Sequence, residues 1–206
     1  DMRSLKGNIG LGHVRYATKG AADREDEVQP FYVNAPYGII LIHNGNLTNT
    51  RQLEQELYKV DRRHTNSTSD TEMLLNVFAT ELQTQVKQNE LSPEHIFDAI
   101  SSVHKRIQGS YASLALIAGH GLVAFRDPYG IRPLVLGRRL YNKKEFEWIV
   151  ASESLVLENG DYEIVRDVAP GEAVFISQNG EFFSRQCSSN PKLSPCSFEY
   201  VYLARP

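Results

Sequence analysis

The sequence is poor in the residues that mark secreted, membrane-spanning or nucleic-acid-binding proteins. Cysteine occurs only twice in 206 residues, as Cys187 and Cys196. Two cysteines cannot build a disulfide framework, and their spacing matches no Cys-x-x-Cys redox or zinc pair. Both read as free thiols in a reducing cytoplasm. There is no excess of positive charge either: 22 Lys and Arg stand against 25 Asp and Glu, a formal net charge of -3. That balance gives no electrostatic footprint for DNA, RNA or an anionic membrane. Long apolar runs are missing; the longest uncharged one, Tyr111 to Ala118, is far too short to span a bilayer. No basic, signal-like stretch opens the chain, and no repeat or low-complexity segment interrupts it. What remains is an ordinary globular composition, 41% hydrophobic and 23% charged, long enough for one domain with a sizeable core.

The spacing of apolar residues predicts an α+β order. Ile9 to Val14 reads as a short strand, followed by a polar loop from Lys19 to Gln29. Tyr37 to His43 is a continuous apolar run, as expected of a strand covered on both faces, and Asn44-Gly45-Asn46 reads as the turn that ends it. A helix is expected from about Thr48 to Val60, with Leu53, Leu57 and Val60 on one face. Ser69 and Glu72 have capping-box spacing, and Met73, Leu74, Val77, Phe78 and Leu82 follow at helical intervals. A third helix starts at Ser92-Pro93, presents Ile96, Ile100, Val103 and Ile107 inward and ends at Gly109. From Tyr111 onward short β runs alternate with turns: Tyr111 to Ala118, Leu122 to Phe125, Leu134 to Gly137, Trp148 to Ala151, Ala173 to Ser177 and Glu181 to Arg185. Gly119-His120-Gly121 and Asn179-Gly180 read as hairpin turns. Helices early and antiparallel strands late imply helices packed on sheet faces.

Four polar segments stand where strands meet loops: Gly12-His-Val-Arg-Tyr-Ala-Thr-Lys-Gly20, His43-Asn-Gly-Asn-Leu-Thr-Asn49, Thr68-Ser-Asp70 and Arg126-Asp-Pro-Tyr-Gly-Ile-Arg-Pro133. Each has a bland reading on its own. Arg15 fits a surface ion pair, Asn44-Gly45 a turn, Asp70 a favourable charge at a helix start, and Asp127-Pro-Tyr-Gly130 a turn.

Taken together and in this order, they resemble the glutaminase domain of the class II, N-terminal-nucleophile glutamine amidotransferases. The resemblance covers nearly the whole chain. It implies a four-layer αββα sandwich of two stacked antiparallel sheets. It also implies that Arg15 grips the α-carboxylate of glutamine with a planar two-donor fork, and that Asp70 takes the α-ammonium. The Asn44 amide and the Gly45 N–H would form an oxyanion hole, with Tyr16 and Thr18 lining the same pocket. Such donors meet charge that develops only in the tetrahedral intermediate. In this family a terminal cysteine attacks the side-chain amide while its own α-amine serves as base. His43-Asn-Gly-Asn-Leu-Thr-Asn49 and Phe198-Glu-Tyr-Val-Tyr-Leu-Ala-Arg-Pro206 are most like the branch that delivers ammonia to phosphoribosyl pyrophosphate in purine biosynthesis. That substrate is bound with magnesium in a second domain, which residues 198–206 would lead into. A homo-oligomer regulated by purine nucleotides is also implied.

The chain departs from the family pattern at its first residue, which is Asp1 where the family has Cys-Gly-Ile in a central strand. Neither Cys187 nor Cys196 has a matching context. The expectation is therefore a partial glutaminase domain, incomplete at its N-terminus and inactive by itself, cut from a longer protein. Some relatives hold an iron–sulfur cluster through a cysteine placed like Cys196. The other ligands would lie outside this chain, so no cluster or other cofactor is expected in it. His13 and His43 flank the proposed site, whereas His64, His95, His104 and His120 read as surface or structural. Two alternatives stay open: another class II member such as glucosamine-phosphate synthase or asparagine synthase, and a non-catalytic glutamine-binding remnant.

Overall fold

The computed structural model describes residues 6–14, 28–87, 90–142, 145–199 and 201. A six-stranded antiparallel sheet forms its centre, in the order β1-β2-β3-β4-β8-β9. The strands are β1 (Phe31–Val33), β2 (Ile39–Leu47), β3 (Gly109–Ile117), β4 (Gly121–Arg126), β8 (Glu172–Ser177) and β9 (Phe182–Gln186). A second, three-stranded sheet runs in the order β6-β5-β7, from β5 (Val135–Leu140), β6 (Phe146–Ala151) and β7 (Glu163–Asp167). The helices are α1 (Thr50–Glu56), α2 (Asp70–Val86), α3 (Pro93–Arg106) and α4 (Ser154–Asn159).

Strand alternation builds the layers. Tyr111, Ala115, Val123, Phe125, Ala173 and Phe175 face one side of the large sheet and join a core with Leu53, Leu74, Phe78, Ile96 and Ile100 of the helices. Their sequence neighbours Ala112, Leu122, Ala124, Val174 and Ile176 face the other side and meet Leu136 and Val150 of the small sheet. Gly137, next to the inward-facing Leu136, points outward. A Cβ there would lie 2.5 Å from Leu157 Cδ2, so α4 rests directly on the outer face of the small sheet. The four layers are α, β, β and α, as the family resemblance implies.

Several local expectations are corrected. Residues 9–14 form no strand; Ile9 and Leu11 pack against the inter-sheet core without a ladder partner. The polar loop from Lys19 to Gln29 lies mostly outside the described residues. The helix after β2 ends at Glu56 and continues as a π-helical turn, Leu57–Asp61. The wider turn keeps Leu53 and Leu57 buried but rotates Val60 into solvent, where it is 74% exposed. Ser69 is the N-cap of α2 but forms no side-chain cap. Glu72 instead reaches past it to accept hydrogen bonds from Asn66 N and Ser67 N, both at 2.7 Å, which pins the preceding loop. α3 does start at Ser92-Pro93, with a reciprocal cap between Ser92 and His95. It ends at Arg106, and the buried Ile107 is extended. Gly109 is not its stop but the start of β3, with φ +125° and no room for a Cβ against Asn46 O at 2.3 Å.

One polar tie crosses the helix-side core. His104 Nε2 donates to Gly171 O at 3.2 Å, which leaves Nδ1 to accept from Tyr111 OH at 2.7 Å. Burial pushes the His104 pKa down to about 4, against the opposing bond to Gly171. An unfolded chain protonates this histidine as pH falls through about 6.5, whereas the folded protein resists until about 4. Stability present above pH 6.5 is therefore lost between those values, by at most about 3 kcal/mol. Denaturant titrations across pH 7 to 4 should show this loss in the wild type, and a shallower one in His104→Gln. Parallel pH profiles would remove His104 as the cause.

Candidate functional site

The Asn44-Gly45-Asn46 triplet is not a turn. β2 stays paired with β3 throughout it, with Asn44 opposite Ala112, Gly45 opposite Tyr111 and Asn46 opposite Ser110. Gly45 permits this because its φ of +143° is one that side chains rarely adopt. A Cβ at this position would stand 2.1 Å from Ser110 O and 2.7 Å from His43 Nε2. Upstream, the Gln29 side chain acts as a substitute strand partner. It accepts from His43 N at 2.6 Å and donates to His43 O at 3.1 Å. The polar residues at this end of β2 are thus carried on a rigid ladder.

α2 meets this strand end through its first residue. Asp70 Oδ2 accepts from Leu47 N at 3.0 Å, and its side chain remains 25% exposed. His43 lies behind it, almost fully buried, with Nδ1 3.7 Å from Asp70 Oδ1. Ser110 O can only accept, so His43 Nε2 donates to it at 3.3 Å. Nδ1 is left to accept from the Thr71 hydroxyl, also at 3.3 Å. Burial lowers the His43 pKa below the usual imidazole value; Asp70 and Ser110 oppose this, while Arg132 and His13 add to it. Neutral at pH 7, His43 leaves the charge of Asp70 uncancelled, and the hydrogen bond from Leu47 N holds the carboxylate in place. The partly exposed carboxylate is left suited to a cation.

The third component arrives from the turn after β4. Asp127 is fully buried, and its carboxylate accepts from Tyr111 N at 3.2 Å, Tyr129 N at 2.9 Å and Ile131 N at 3.1 Å. Burial nevertheless pushes its pKa up, against those N–H groups and Arg126. Gly130 N closes the turn onto Asp127 O at 2.9 Å, as the composition predicts. Arg126 donates to the carbonyls of Arg132 at 2.6 Å, Val168 at 2.8 Å and Gly130 at 2.8 Å. The turn so held projects Arg132 onto β2. Arg132 Nε and Nη2 both donate to Asn44 Oδ1, at 3.1 and 2.9 Å, and Nη1 pairs with Glu199 Oε1 at 2.6 Å.

Of the residues singled out from sequence, Asn44, Gly45 and Asp70 come together at one end of β2. Arg15, Tyr16 and Thr18 lie outside the described residues. Arg132, Glu199, Gln29 and Thr71 were not singled out as individual site residues. Arg132 and Glu199 carried a signal, because they sit in the Arg126–Pro133 and Phe198–Pro206 segments. Cys187 is buried in the helix-side core, and burial raises its thiol pKa, the opposite of what an activated nucleophile needs. Among the described residues, no group of three or more His, Cys, Asp or Glu could hold a metal ion. No described helix is long and apolar enough to cross a membrane.

The sequence model of the glutamine amidotransferase domain matches residues 13–159, which include every element of this site except Glu199. The chain belongs to the glutamine amidotransferase domain family. Amidophosphoribosyltransferase of Escherichia coli K12 is 54% identical over 205 residues, covering all of this chain and 40% of that protein. The Schizosaccharomyces pombe amidophosphoribosyltransferase is 44% identical over 216 residues, again covering all of this chain and 40% of that protein. The chain spans about 40% of the length of these curated relatives. Among solved structures, the glutamine phosphoribosylpyrophosphate amidotransferase from B. subtilis superposes with a TM-score of 0.72 at 32% identity, over 94% of this chain and 38% of that one. The allosteric regulatory enzyme of purine biosynthesis gives 0.74 at 31% identity, with the same coverage. This amidotransferase domain should tolerate no side chain at the second residue of its Asn-Gly pair. Gly45→Ala should cost about 2–4 kcal/mol in chemical denaturation, because the backbone of β3 blocks the methyl group. An unchanged midpoint would mean that the β2–β3 pair adjusts more easily than its register suggests.

Proposed function

We propose that residues 1–206 are part of the glutaminase domain of an amidophosphoribosyltransferase, and that they bind glutamine across the end of β2. The observation that carries this reading is Asp70. It is a partly exposed carboxylate with no cancelling charge from neutral His43, on the ladder end that presents the Asn44 amide. A free amino acid supplies the ammonium that Asp70 lacks. Its carboxylate would fall to Arg15, with Tyr16 and Thr18 beside it, and its side-chain amide would lie over Asn44 and Gly45.

In the proposed reaction a thiolate adds to the amide carbon and the carbonyl electron pair moves onto oxygen. The Asn44 Nδ2–H and the Gly45 N–H meet that oxyanion; the carbonyl then re-forms as the C–N bond breaks, and ammonia leaves with the proton that the base took from the thiol. Water then releases glutamate from the thioester. Cys187 does not supply this thiol, because it is buried in the helix-side core and burial raises its pKa. Ammonia would pass to a phosphoribosyltransferase domain entered through residues 198–206. There, phosphoribosyl pyrophosphate bound with magnesium would yield phosphoribosylamine for purine biosynthesis. The likeness to amidophosphoribosyltransferases supports this destination; a cytoplasmic homo-oligomer is part of the same proposal.

The reading is tested by glutamate release in the full-length gene product and in the 206-residue chain. The full-length protein should hydrolyse glutamine, and the isolated chain should not. Asp70→Asn should raise KM for glutamine on the order of 10²-fold, since it leaves a bound ammonium unpaired. An unchanged KM would remove Asp70 from the substrate site. Turnover by the isolated chain would place the nucleophile within it.

A further inference from the structure

We propose that Arg132 is a positioning residue that fixes which end of the Asn44 amide faces the substrate, and that Glu199 holds it in place. The inference rests on the reading of Asn44 as an oxyanion donor.

An asparagine amide has two ends of nearly equal size, and rotation about its terminal torsion is broad and roughly two-fold. Left alone, Asn44 would turn its oxygen toward the substrate for a large share of the time. An oxygen there would repel the developing oxyanion. The guanidinium of Arg132 carries donors and no acceptor. With Nε and Nη2 at 3.1 and 2.9 Å from one Asn44 atom, that atom must be Oδ1. Nδ2, with both its hydrogens, then points away from Arg132 and makes no hydrogen bond to any described residue.

The arginine is itself held from three directions. Its third nitrogen pairs with Glu199 Oε1, and both side chains are largely covered, with 24% and 16% exposed. Its carbonyl accepts from Arg126, and the preceding N–H of Ile131 is bound by buried Asp127. Pro133 follows it and restricts its backbone to extended conformations. Lysine could reach Glu199, but one ammonium cannot reproduce two donors fixed in a plane.

The test uses the full-length gene product and follows glutamate release. Arg132→Met should lower kcat about 10- to 10²-fold, while KM for glutamine stays within about threefold, because the interaction matters only in the transition state. Arg132→Lys should recover little of that loss. Glu199→Gln, which keeps the guanidinium and perturbs the fold least, should lower kcat by a smaller factor at an unchanged melting temperature. Asn44→Ala should fall by about 10²- to 10³-fold, and adding Arg132→Met to it should cost little more. Full additivity of the two losses would overturn the inference and leave Asn44 as the donor. So would a Lys variant with wild-type kcat, or a rise in KM at constant kcat. An Asn44→Ala protein with wild-type kcat would instead overturn the oxyanion reading, and the role of Arg132 with it.

Discussion

The arrangement depends on one ladder that does not stop where its sequence suggests. β2 keeps its pairing with β3 from Ile39 to Leu47, through three residues that are common in turns. The permissive element is Gly45, whose missing side chain allows Ser110 O and the His43 ring to close in from both sides. Were the strand to end at His43, Asn44 would sit on a loop and Leu47 N would not be placed to bind Asp70. Helix α2 would then lose the contact that sets its first turn against the sheet.

Around this ladder the polar groups form a sequence of dependencies, each settled by burial. Asp127 is covered completely, so it must collect backbone N–H groups, and those groups shape the turn. The shape of the turn presents its carbonyls to Arg126, and Arg126 secures the carbonyl of Arg132. Arg132 in turn meets Asn44, 88 residues earlier in the chain. On the opposite side, the burial of His43 keeps it neutral and so leaves Asp70 with its charge. Asp70 and Asn44 are the two side chains of this set to which the proposed chemistry assigns the substrate.

Much of this was legible in the sequence, and the failures have specific causes. The stripe of α2 and the Ser92-Pro93 start of α3 were readable because helical spacing and capping chemistry are local. α2 exceeded its stripe: Leu75, Ala79 and even Asn76 are buried, since both α3 and the sheet pack on it. β7 was missed because Glu163-Ile-Val-Arg-Asp167 is exposed along its whole length and so lacks a buried alternation. Val60 was misplaced because apolar spacing does not reveal a π-helical turn. The Asn-Gly pair was misread by composition, which outweighs everything local; only its pairing with a strand some 65 residues away in sequence decides its conformation. Arg132 escaped for the same reason. Its motif announced a turn correctly, while the partner that gives the turn its purpose lay on another element.

The placement of Arg132 also limits how a zwitterion could bind. An arginine near a proposed amino-acid site is an obvious candidate for the substrate carboxylate. Here all three of its nitrogens are engaged, two on Asn44 and one on Glu199. Gripping a carboxylate would mean releasing the Asn44 oxygen and leaving the largely buried Glu199 charge uncompensated, a costly exchange for one new ion pair. The α-carboxylate of a bound glutamine therefore needs a different cation. Arg15, from the Gly12–Gly20 segment, is the residue the family reading assigns to that task. The two arginines would then divide the work by geometry: one recognises the substrate, and the other orients the group that acts on it.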